Sequence, residues 1–408
     1  MVIFNWAIEN KFLLFRGLVF LVVIFYFSVI ILHSQNIPYW DDYVVTFQFF
    51  NDYSNADSLL TKVQALLAQW SEHRIVVGRL LAMSQFKIHG ILNFKVLHFV
   101  SNLSLIIIFL GIIQSSCIEI RKWIVLPVAL LLFQLQYYVA SFWFVSSSSM
   151  FFVLAFSLLA LIYLKREQYL ICSVFSFAAV YSNGNGFLIF FLEIIFLLIA
   201  RKWKPGLVLT GLFVVSILIY FKGYYPHEND RMATLYFMKD PIQTLNYFMS
   251  FLGGCFNVLG LAPVVGFTGI CATIWFTYKK YYNQNPVLYL MLLFIIGSAL
   301  LAAIGRSFWG VDQALESRYK IFSAVFWICM IISFLELQTE ETRKIVFPWL
   351  VLGSLIFNVG SYYKSWPFML KFLEAQRIDY DEVNSGRNRK NLNEAHQILI
   401  ISRSKGYY

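Results

Sequence analysis

Two adjacent acids, Asp41 and Asp42, follow the first apolar segment directly after Pro38 and the aromatic pair Tyr39-Trp40. A carboxylate held near a membrane surface can act as a general base and take the proton from an attacking hydroxyl. Adjacent residues in extended chain point apart, so the two acids are not expected to flank one bond as glycosidase carboxylates do. One acid is the predicted base, and the other positions it or binds a divalent cation. The alternative is a solvated loop or a helix cap.

A second polar group, Glu72-His73-Arg74, ends the loop that begins at the acids. A fixed guanidinium beside an imidazole can hold a phosphate or pyrophosphate leaving group, because charged forked donors stabilise the developing anion. The alternative is that these residues cap the helix that follows. We predict phosphate binding by His73 and Arg74 and substrate contacts by Glu72 and Trp40.

A third polar segment, 305–319, lies between two long apolar runs and carries Arg306 and Arg318. Two arginines, a glycine pair and aromatic rings can form a cup for a phosphate and a sugar ring. An arginine at hydrocarbon depth is costly unless it is paired or snorkels to the surface, and snorkelling is the alternative for Arg318. Asp312, Glu316 or an anionic ligand could pair with it. The predicted substrate contacts in this segment are Trp309, Asp312, Gln313 and Tyr319.

A polar turn, Ser182-Asn183-Gly184-Asn185-Gly186, interrupts the apolar sequence. It is either an ordinary turn or the lining of a polar cavity, with the amides of Asn183 and Asn185 as substrate contacts. Glu193 falls within a predicted span, where a carboxyl needs an arginine or a cavity beside it. A further polar loop, 227–231, is expected to be solvated.

The elements that must position these residues are apolar. Hydrophobic residues make up 59% of the 408 and charged residues 13%, and the mean hydropathy is +0.67, which excludes a soluble globular protein. The apolar runs are apolar on every side, which indicates helices rather than an alternating barrel. The five cysteines stand singly, so neither a disulfide framework nor a zinc site is expected.

We therefore predict an all-α, polytopic transmembrane bundle of about eleven spans. They are placed at about 12–32, 94–115, 123–140, 148–164, 168–182, 186–200, 206–221, 257–278, 286–304, 318–337 and 345–363. The segments 73–90 and 241–259 are ambiguous, and a crossing there would change the parity. Residues 1–363 form the bundle, with a first outer loop at 33–75, and residues 364–408 form a short extramembrane tail.

The first outer loop also contains an amphipathic pattern. Apolar residues recur at helical spacing, at Leu59, Leu60, Val63, Leu66, Leu67 and Trp70. Such a stripe suits a helix that lies in the headgroup plane. Packing against the bundle is the alternative.

The net charge of +10 gives an orientation. Lys and Arg mark the cytoplasmic side of short loops, and they cluster on alternate connections, at Arg121-Lys122, Lys165-Arg166, Arg201-Lys202-Lys204, Lys279-Lys280 and Arg343-Lys344. The N-terminus is then cytoplasmic, and every polar segment described above faces outward. The remaining excess charge leaves room for an anionic lipid or a phosphate ligand.

Together these stretches resemble the membrane glycosyltransferases of the GT-C type, in particular the small bacterial and phage O-antigen-modifying (serotype-converting) glucosyltransferases. The resemblance rests on Trp40-Asp41-Asp42-Tyr43, Glu72-His73-Arg74, the turn 182–186, and Gly305-Arg306 through Ser317-Arg318-Tyr319. It is loose elsewhere. The chain is short for that class and has no large outer domain for a protein acceptor.

The resemblance implies inverting transfer of a sugar, glucose in these relatives, from a polyprenyl-phosphate donor to a glycan such as O-antigen. The reaction would take place on the periplasmic face of the bacterial inner membrane. Asp41 or Asp42 would deprotonate the acceptor hydroxyl, and Arg74, Arg306 and Arg318, with His73, would hold the donor phosphate.

Implied partners are membrane lipids, a synthase that makes the donor and a flippase. No cofactor is expected, with a divalent cation at Asp41 and Asp42 left open as the alternative, and no nucleic acid is expected. The chain shows no Walker pattern, glycine-rich nucleotide loop or HExxH sequence.

Three rival functions remain open. One is a purely structural membrane partner, which would leave the one-sided clustering of Asp, His and Arg without a reason. A transporter or flippase of lipid-linked sugars would share the outer loops and intramembrane arginines, but it should show two related halves, and the sequence shows no repeat. An O-antigen polymerase or ligase is the closer rival; such enzymes present key arginines in a later large outer loop, whereas here the acids come first.

Overall fold

The computed structural model describes residues 11–226, 233, 236–257, 259–386 and 393–408, and the regular secondary structure of these residues is helical, with no β-strand. One isolated antiparallel bridge joins Trp70 and His73. The predicted polar loop 227–231 lies outside the described residues. The prediction of an all-α membrane protein is confirmed to this level.

The helices, in chain order, are α1 Lys11–His33, α2 Phe49–Asn55, α3 Leu59–Leu66, α4 Val76–His89, α5 Phe94–Ser115, α6 Ile118–Leu132, α7 Tyr138–Ser141, α8 Phe144–Lys165, α9 Tyr169–Val180, α10 Phe187–Ile199, α11 Trp203–Phe221, α12 Pro241–Gly253, α13 Ala262–Tyr278, α14 Tyr281–Gln284, α15 Pro286–Arg306, α16 Lys320–Glu336, α17 Glu340–Ser385 and α18 Asn393–Ser404. A π-helical turn, Tyr43–Gln48, precedes α2. Short 3-10 turns occupy Gly184–Gly186, Gly254–Phe256, Ser307–Trp309, Val311–Leu315 and Ser317–Tyr319.

Within the described residues, seven helical segments are long and apolar enough to cross a bilayer. They are Arg16–His33, Phe94–Ser115, Phe144–Lys165, Trp203–Phe221, Pro286–Trp309, Ser317–Glu336 and Glu340–Ser385. The other four predicted spans correspond to the shorter helices α6, α9, α10 and α13, of 15, 12, 13 and 17 residues. A span of the full hydrocarbon thickness needs about 20 residues. The count of about eleven therefore stays a prediction.

The chain divides into two compact units. The first unit contains Met1–Val29, Leu105–Tyr137 and Tyr236–Trp366, and the second contains Ile30–Ser104, Tyr138–Leu235 and Pro367–Tyr408. The first two predicted polar groups and the turn at 182–186 belong to the second unit. The segment 305–319 belongs to the first unit.

In the first unit, α12 and α13 pack at very close range. A Cβ on Gly253 would lie 2.0 Å from the carbonyl oxygen of Ala262, and one on Gly266 would lie 1.9 Å from that of Met249. Glycine is therefore required at both positions. At the far end of α16 the carboxylate of Glu336 accepts hydrogen bonds from Tyr281 Oη (2.6 Å), Asn285 Nδ2 (2.9 Å) and the Cys117 amide (2.7 Å). These bonds tie α6, α14 and α16 together.

In the second unit, the C-terminal tail and the first outer loop pack together in one hydrophobic cluster. Tyr43 and Phe47 of the π-helical turn pack with Ile398, Leu399 and Tyr407. The amide of Leu92 donates to the carbonyl of Tyr407 at 2.8 Å, and Lys405 Nζ donates to Asn55 Oδ1 at 2.8 Å. The predicted division after residue 363 falls inside α17, which continues without a break to Ser385. The tail is thus a packed part of the second unit.

The amphipathic stripe of the first loop forms α3, which is shorter than the stripe itself. Ser58 caps its N-terminus by accepting from the Thr61 amide, and Thr61 Oγ1 accepts from the Ser58 amide in return, an arrangement that satisfies two free N–H groups. Leu59 and Leu60 are 79% and 64% exposed, whereas Leu66 packs against the core. The exposed apolar half is the one that suits a membrane surface.

Glu193, predicted to need a partner inside its span, has two. Ser176 Oγ lies 2.8 Å from its Oε1, and Cys172 Sγ donates to the same oxygen at 3.2 Å. The carboxyl is fully buried between α9 and α10. Short polar side chains therefore take the place of the arginine or cavity that the sequence predicted.

Candidate functional site

Asp42 is the most tightly held of the predicted site residues. Its side chain is 0% exposed, and each carboxylate oxygen accepts one backbone N–H at 3.0 Å, Oδ2 from Tyr39 and Oδ1 from Val145. Burial raises the pKa of Asp42 well above its usual value, with a further increase from Asp41, although the two N–H donors oppose the rise. Because both oxygens face N–H donors, this carboxylate acts as a tether between the first loop and the start of α8.

Asp41 differs from its neighbour in exposure, since its side chain is half-buried. A tight turn separates the pair from the end of α1. In that turn Trp40 adopts a left-handed backbone conformation, φ +44°, which costs a non-glycine residue about 1–2 kcal/mol. The turn brings the Tyr39 N–H onto Asp42 and leaves the Trp40 ring 61% exposed, with the Tyr39 ring stacked on it at 5.3 Å. The turn thus places an exposed indole next to the half-buried Asp41.

Glu72 and His73 form a pair of hydrogen-bonding side chains at the other end of the loop. His73 Nε2 lies 3.5 Å from Glu72 Oε1, and His73 Nδ1 accepts the Gly184 N–H at 3.4 Å. Because Nδ1 accepts a hydrogen bond, the neutral ring carries its proton on Nε2, facing the Glu72 carboxylate. Glu72 and Gly184 thus orient the His73 imidazole, a group that can give or take a proton.

Arg74, which the sequence predicts to bind the donor phosphate, contacts backbone carbonyls in this structure. Its guanidinium donates to three backbone carbonyls, those of Tyr220 (2.5 Å), Lys222 (2.7 Å) and Leu67. Two of these belong to the last turn of α11 and the residue that caps it, where free carbonyls favour a cation. Burial lowers the pKa of Arg74, although nearby tyrosines oppose the shift. As the structure places it, Arg74 holds the end of the loop against α11.

Arg79 is a buried arginine near the candidate site that sequence reasoning did not single out. It is 3% exposed and donates to the carbonyls of Leu66 (2.9 Å), Ala68 (2.6 Å) and Val45 (3.3 Å). Burial lowers its pKa to about 10, and the positive charge of Arg74 lowers it further. The only signal in the sequence is an arginine in the otherwise apolar start of α4.

The polar turn at 182–186 lies against the Glu72–His73 pair. Besides the Gly184 contact, Val77 of α4 donates its N–H to the Tyr181 carbonyl at 3.1 Å. Asn183 is 6% exposed, and its Nδ2 lies 3.9 Å from Met150 Sδ on α8. Asn185 is half-buried.

The first two turns of α8 are the surface on which these segments meet. Val145 binds Asp42, Ser148 lies against Gly78, and Met150 contacts Asn183. A Cβ on Gly78 would lie 2.8 Å from Ser148 Oγ, so α4 and α8 are in close contact at this glycine. Residues 145 and 150 are only about 7.5 Å apart along the helix. The structure therefore brings Asp42, α4 and the polar turn to one end of one helix.

In the first unit, Tyr319 lies between the two arginines of the third predicted segment. Arg306 Nη1 donates to Tyr319 Oη, and the Arg306 and Arg318 guanidinium carbons lie 5.8 and 5.0 Å from its ring centre. Tyr319 is 4% exposed. Arg318 Nε lies 2.8 Å from Glu316 Oε2, so the structure selects Glu316 from the two acids offered as its partner. The arrangement concentrates two positive charges around one buried ring.

The remaining residues of this segment differ in exposure. Gln313 accepts a hydrogen bond from Tyr247 Oη at 2.9 Å. Trp309 is 52% exposed, and its ring centre lies 4.6 Å from that of Phe308. Asp312 is exposed. Gln243 and Thr244 of α12 bind the backbone and side chain of Ser307. The segment is thus anchored on α12, with Trp309 and Asp312 directed outward.

Among the described residues, no group of three or more His, Cys, Asp and Glu side chains could hold a metal ion. Comparisons of the chain with protein-family models, with curated proteins and with solved structures found no match.

Proposed function

We propose that this chain is a GT-C-type membrane glycosyltransferase that moves a sugar from a polyprenyl-phosphate donor to a surface or lipid-linked glycan, with inversion, on the periplasmic face of a bacterial inner membrane. Glucose as the sugar, about eleven spans, a cytoplasmic N-terminus and α3 lying in the headgroup plane belong to the same proposal. The observation that carries it is the convergence of Asp42, α4 and the polar turn on the start of α8. A structural membrane protein has no need to gather an acid pair, a histidine and amides at one helix end.

Asp41 is the residue that we assign as general base. A base must come within hydrogen-bonding distance of the acceptor hydroxyl, about 2.6–3.2 Å. Asp42 is fully buried with an N–H donor on each oxygen, so its part is to hold Asp41 in place. Two N–H donors are also the opposite of what a cation needs, so the acid pair is better suited to proton transfer than to metal binding.

The reaction has a simple balance of atoms. The acceptor oxygen attacks the anomeric carbon of the donor, its proton passes to the Asp41 carboxylate, and the bond from that carbon to the phosphate oxygen breaks with its electron pair left on the phosphate. Attack from the face opposite the leaving group inverts the configuration. Within the second unit, the His73 imidazole is the group that we assign to the phosphate, because Arg74 already donates to three carbonyls. Phosphate binding by Arg306 and Arg318 of the first unit stays a prediction from the sequence.

The test is mass spectrometry of surface glycan from cells that make polyprenyl-phosphate-linked glucose, with the wild-type chain, Asp41→Asn or no chain. We expect an added hexose in the wild type and a loss of at least about 100-fold in Asp41→Asn, the contribution typical of a general base. Asp57→Asn is the matched control, since Asp57 is an exposed acid of the same loop. An unchanged glycan with wild-type protein present would instead favour a transporter or a polymerase.

A further inference from the structure

The first unit contains an open apolar cavity that the proposed reaction does not use. It has a volume of about 560 Å³ and is lined by α13, α16 and α17, through Ala272, Trp275, Trp327, Phe334, Val346 and Leu350 among others. Ligand pockets commonly have volumes of about 300–1,000 Å³. A ligand of that size with an apolar body would therefore fit.

The cavity extends along only part of the bilayer. On α16 it reaches from Trp327 to Leu335, which is about 12 Å at the helical rise per residue. The hydrocarbon core is about 30 Å thick. The cavity therefore matches a chain from a single leaflet, on the side where α13 ends and α17 begins.

Two cations are fixed to residues that line the cavity. Lys279 Nζ lies 5.9 Å from the centre of the Trp275 ring, and Arg343 Nε donates to the Leu335 carbonyl at 2.8 Å. Their neighbours Lys280 and Lys344 add two more positive charges to the same connections, although Lys344 is paired with Glu340 at 3.0 Å. The cavity has an apolar lining and a basic end. It is therefore complementary to an anionic lipid, which has an apolar chain and a negatively charged headgroup.

We propose that this cavity binds one acyl chain of an anionic glycerophospholipid, whose headgroup phosphate is held by Lys279 and Arg343. The same connections are those that the charge distribution assigns to the cytoplasm, where the leaflet carries negative lipids. A lipid bound there bridges α13, α16 and α17 and stabilises the first unit.

The experiment is native mass spectrometry of the full-length chain released from nanodiscs that contain equal amounts of phosphatidylcholine and phosphatidylglycerol. We expect the wild type to retain phosphatidylglycerol in preference, and Lys279→Gln to reduce that preference about fivefold, the effect of one basic residue near the surface. Lys204→Gln, an equal charge change at an exposed position in the first turn of α11 in the other unit, should leave it unchanged. Ala272→Trp, which fills the cavity, should remove the retained lipid.

Equal retention of the two lipids by the wild type would overturn the proposal, and so would an equal loss in Lys204→Gln and Lys279→Gln. Lipid retained by Ala272→Trp would show that the cavity is not the binding site. Lys279 is exposed, so its variant is expected to fold and keeps the test decisive if Ala272→Trp does not accumulate.

Discussion

At the scale of single residues, two acids of the same type and adjacent in sequence have opposite environments. Asp42 is fully buried and Asp41 half-buried. The sequence could predict that the two side chains diverge, but which one faces inward depends on the turn at Trp40 and on the position of Val145, more than a hundred residues later. That choice is a tertiary property, and sequence reasoning left it open for this reason.

Arg74 shows the same limit. A guanidinium beside a histidine indicated phosphate binding, whereas its N–H groups bind carbonyls at the end of α11. Nothing near Arg74 in the sequence shows that the last turn of α11 will need a cation. Long-range capping of this kind cannot be read from a local motif.

Asp42 gives a prediction at this scale for stability. Asp42→Asn replaces one carboxylate oxygen by an amide NH2, which then faces a backbone N–H of Tyr39 or Val145. An unsatisfied buried donor costs about 1–3 kcal/mol. We expect thermal unfolding of purified protein at a lower temperature for Asp42→Asn, and a smaller decrease for Asp41→Asn, because Asp41 is only half-buried. Equal stability of Asp42→Asn and the wild type would contradict the tether.

The same residue also gives a dependence on pH. Burial raises the pKa of Asp42 in the folded state, above an unfolded value of about 3.9, so the folded state binds this proton more tightly than the unfolded state. Its contribution to stability is fully present below about pH 3.9 and is lost as the pH rises through the folded pKa. The stability difference between wild type and Asp42→Asn should therefore shrink as the pH rises. A difference that grows over that range would show that the carboxylate is stabilised as an anion.

At the scale of elements, the helix types and the apolar cores of α1, α5, α8, α11, α15 and α16 could be predicted from long apolar runs. The place of the C-terminal tail could not. Its apolar run, residues 398–401, gave no sign of a partner, because the surface it covers is formed by the π-helical turn Tyr43–Gln48. A segment of mixed polarity becomes a core element only when the rest of the fold offers it an apolar surface.

The packing of the tail against the first loop predicts that the tail keeps residues 43–50 ordered. Leu399 is 1% exposed and packs with Tyr43 and Phe47, whereas the next residue, Ile400, is 46% exposed. Leu399→Asn should cost about 2–5 kcal/mol, as large-to-small core changes do, and should increase hydrogen exchange of residues 43–50. Ile400→Asn is the matched control and should leave that exchange near the wild-type rate. Similar exchange in the two variants would show that the tail does not hold the loop.

At the scale of the whole molecule, the number of crossings decides which segments face the same side. Between Asp57 and Lys204 the sequence predicts five spans, at 94–115, 123–140, 148–164, 168–182 and 186–200. The two that reach full spanning length are α5 and α8, while α6, α9 and α10 are shorter. Five crossings place Asp57 and Lys204 on opposite sides, and two crossings place them on the same side.

Cysteine labelling distinguishes the two cases directly, because both positions are exposed. In a background with the five native cysteines replaced by alanine, we expect Asp57→Cys to react with a membrane-impermeant maleimide in intact cells. Lys204→Cys should react only after the membrane is opened, since an odd number of crossings separates it from the loop with the acid pair. Labelling of both in intact cells would mean that an even number of crossings separates the two positions, and it would move the basic connections away from the cytoplasm. The periplasmic reaction and the cytoplasmic lipid would then no longer be assigned to opposite faces, although neither the Asp41 chemistry nor the affinity of the cavity for anionic lipid depends on that count.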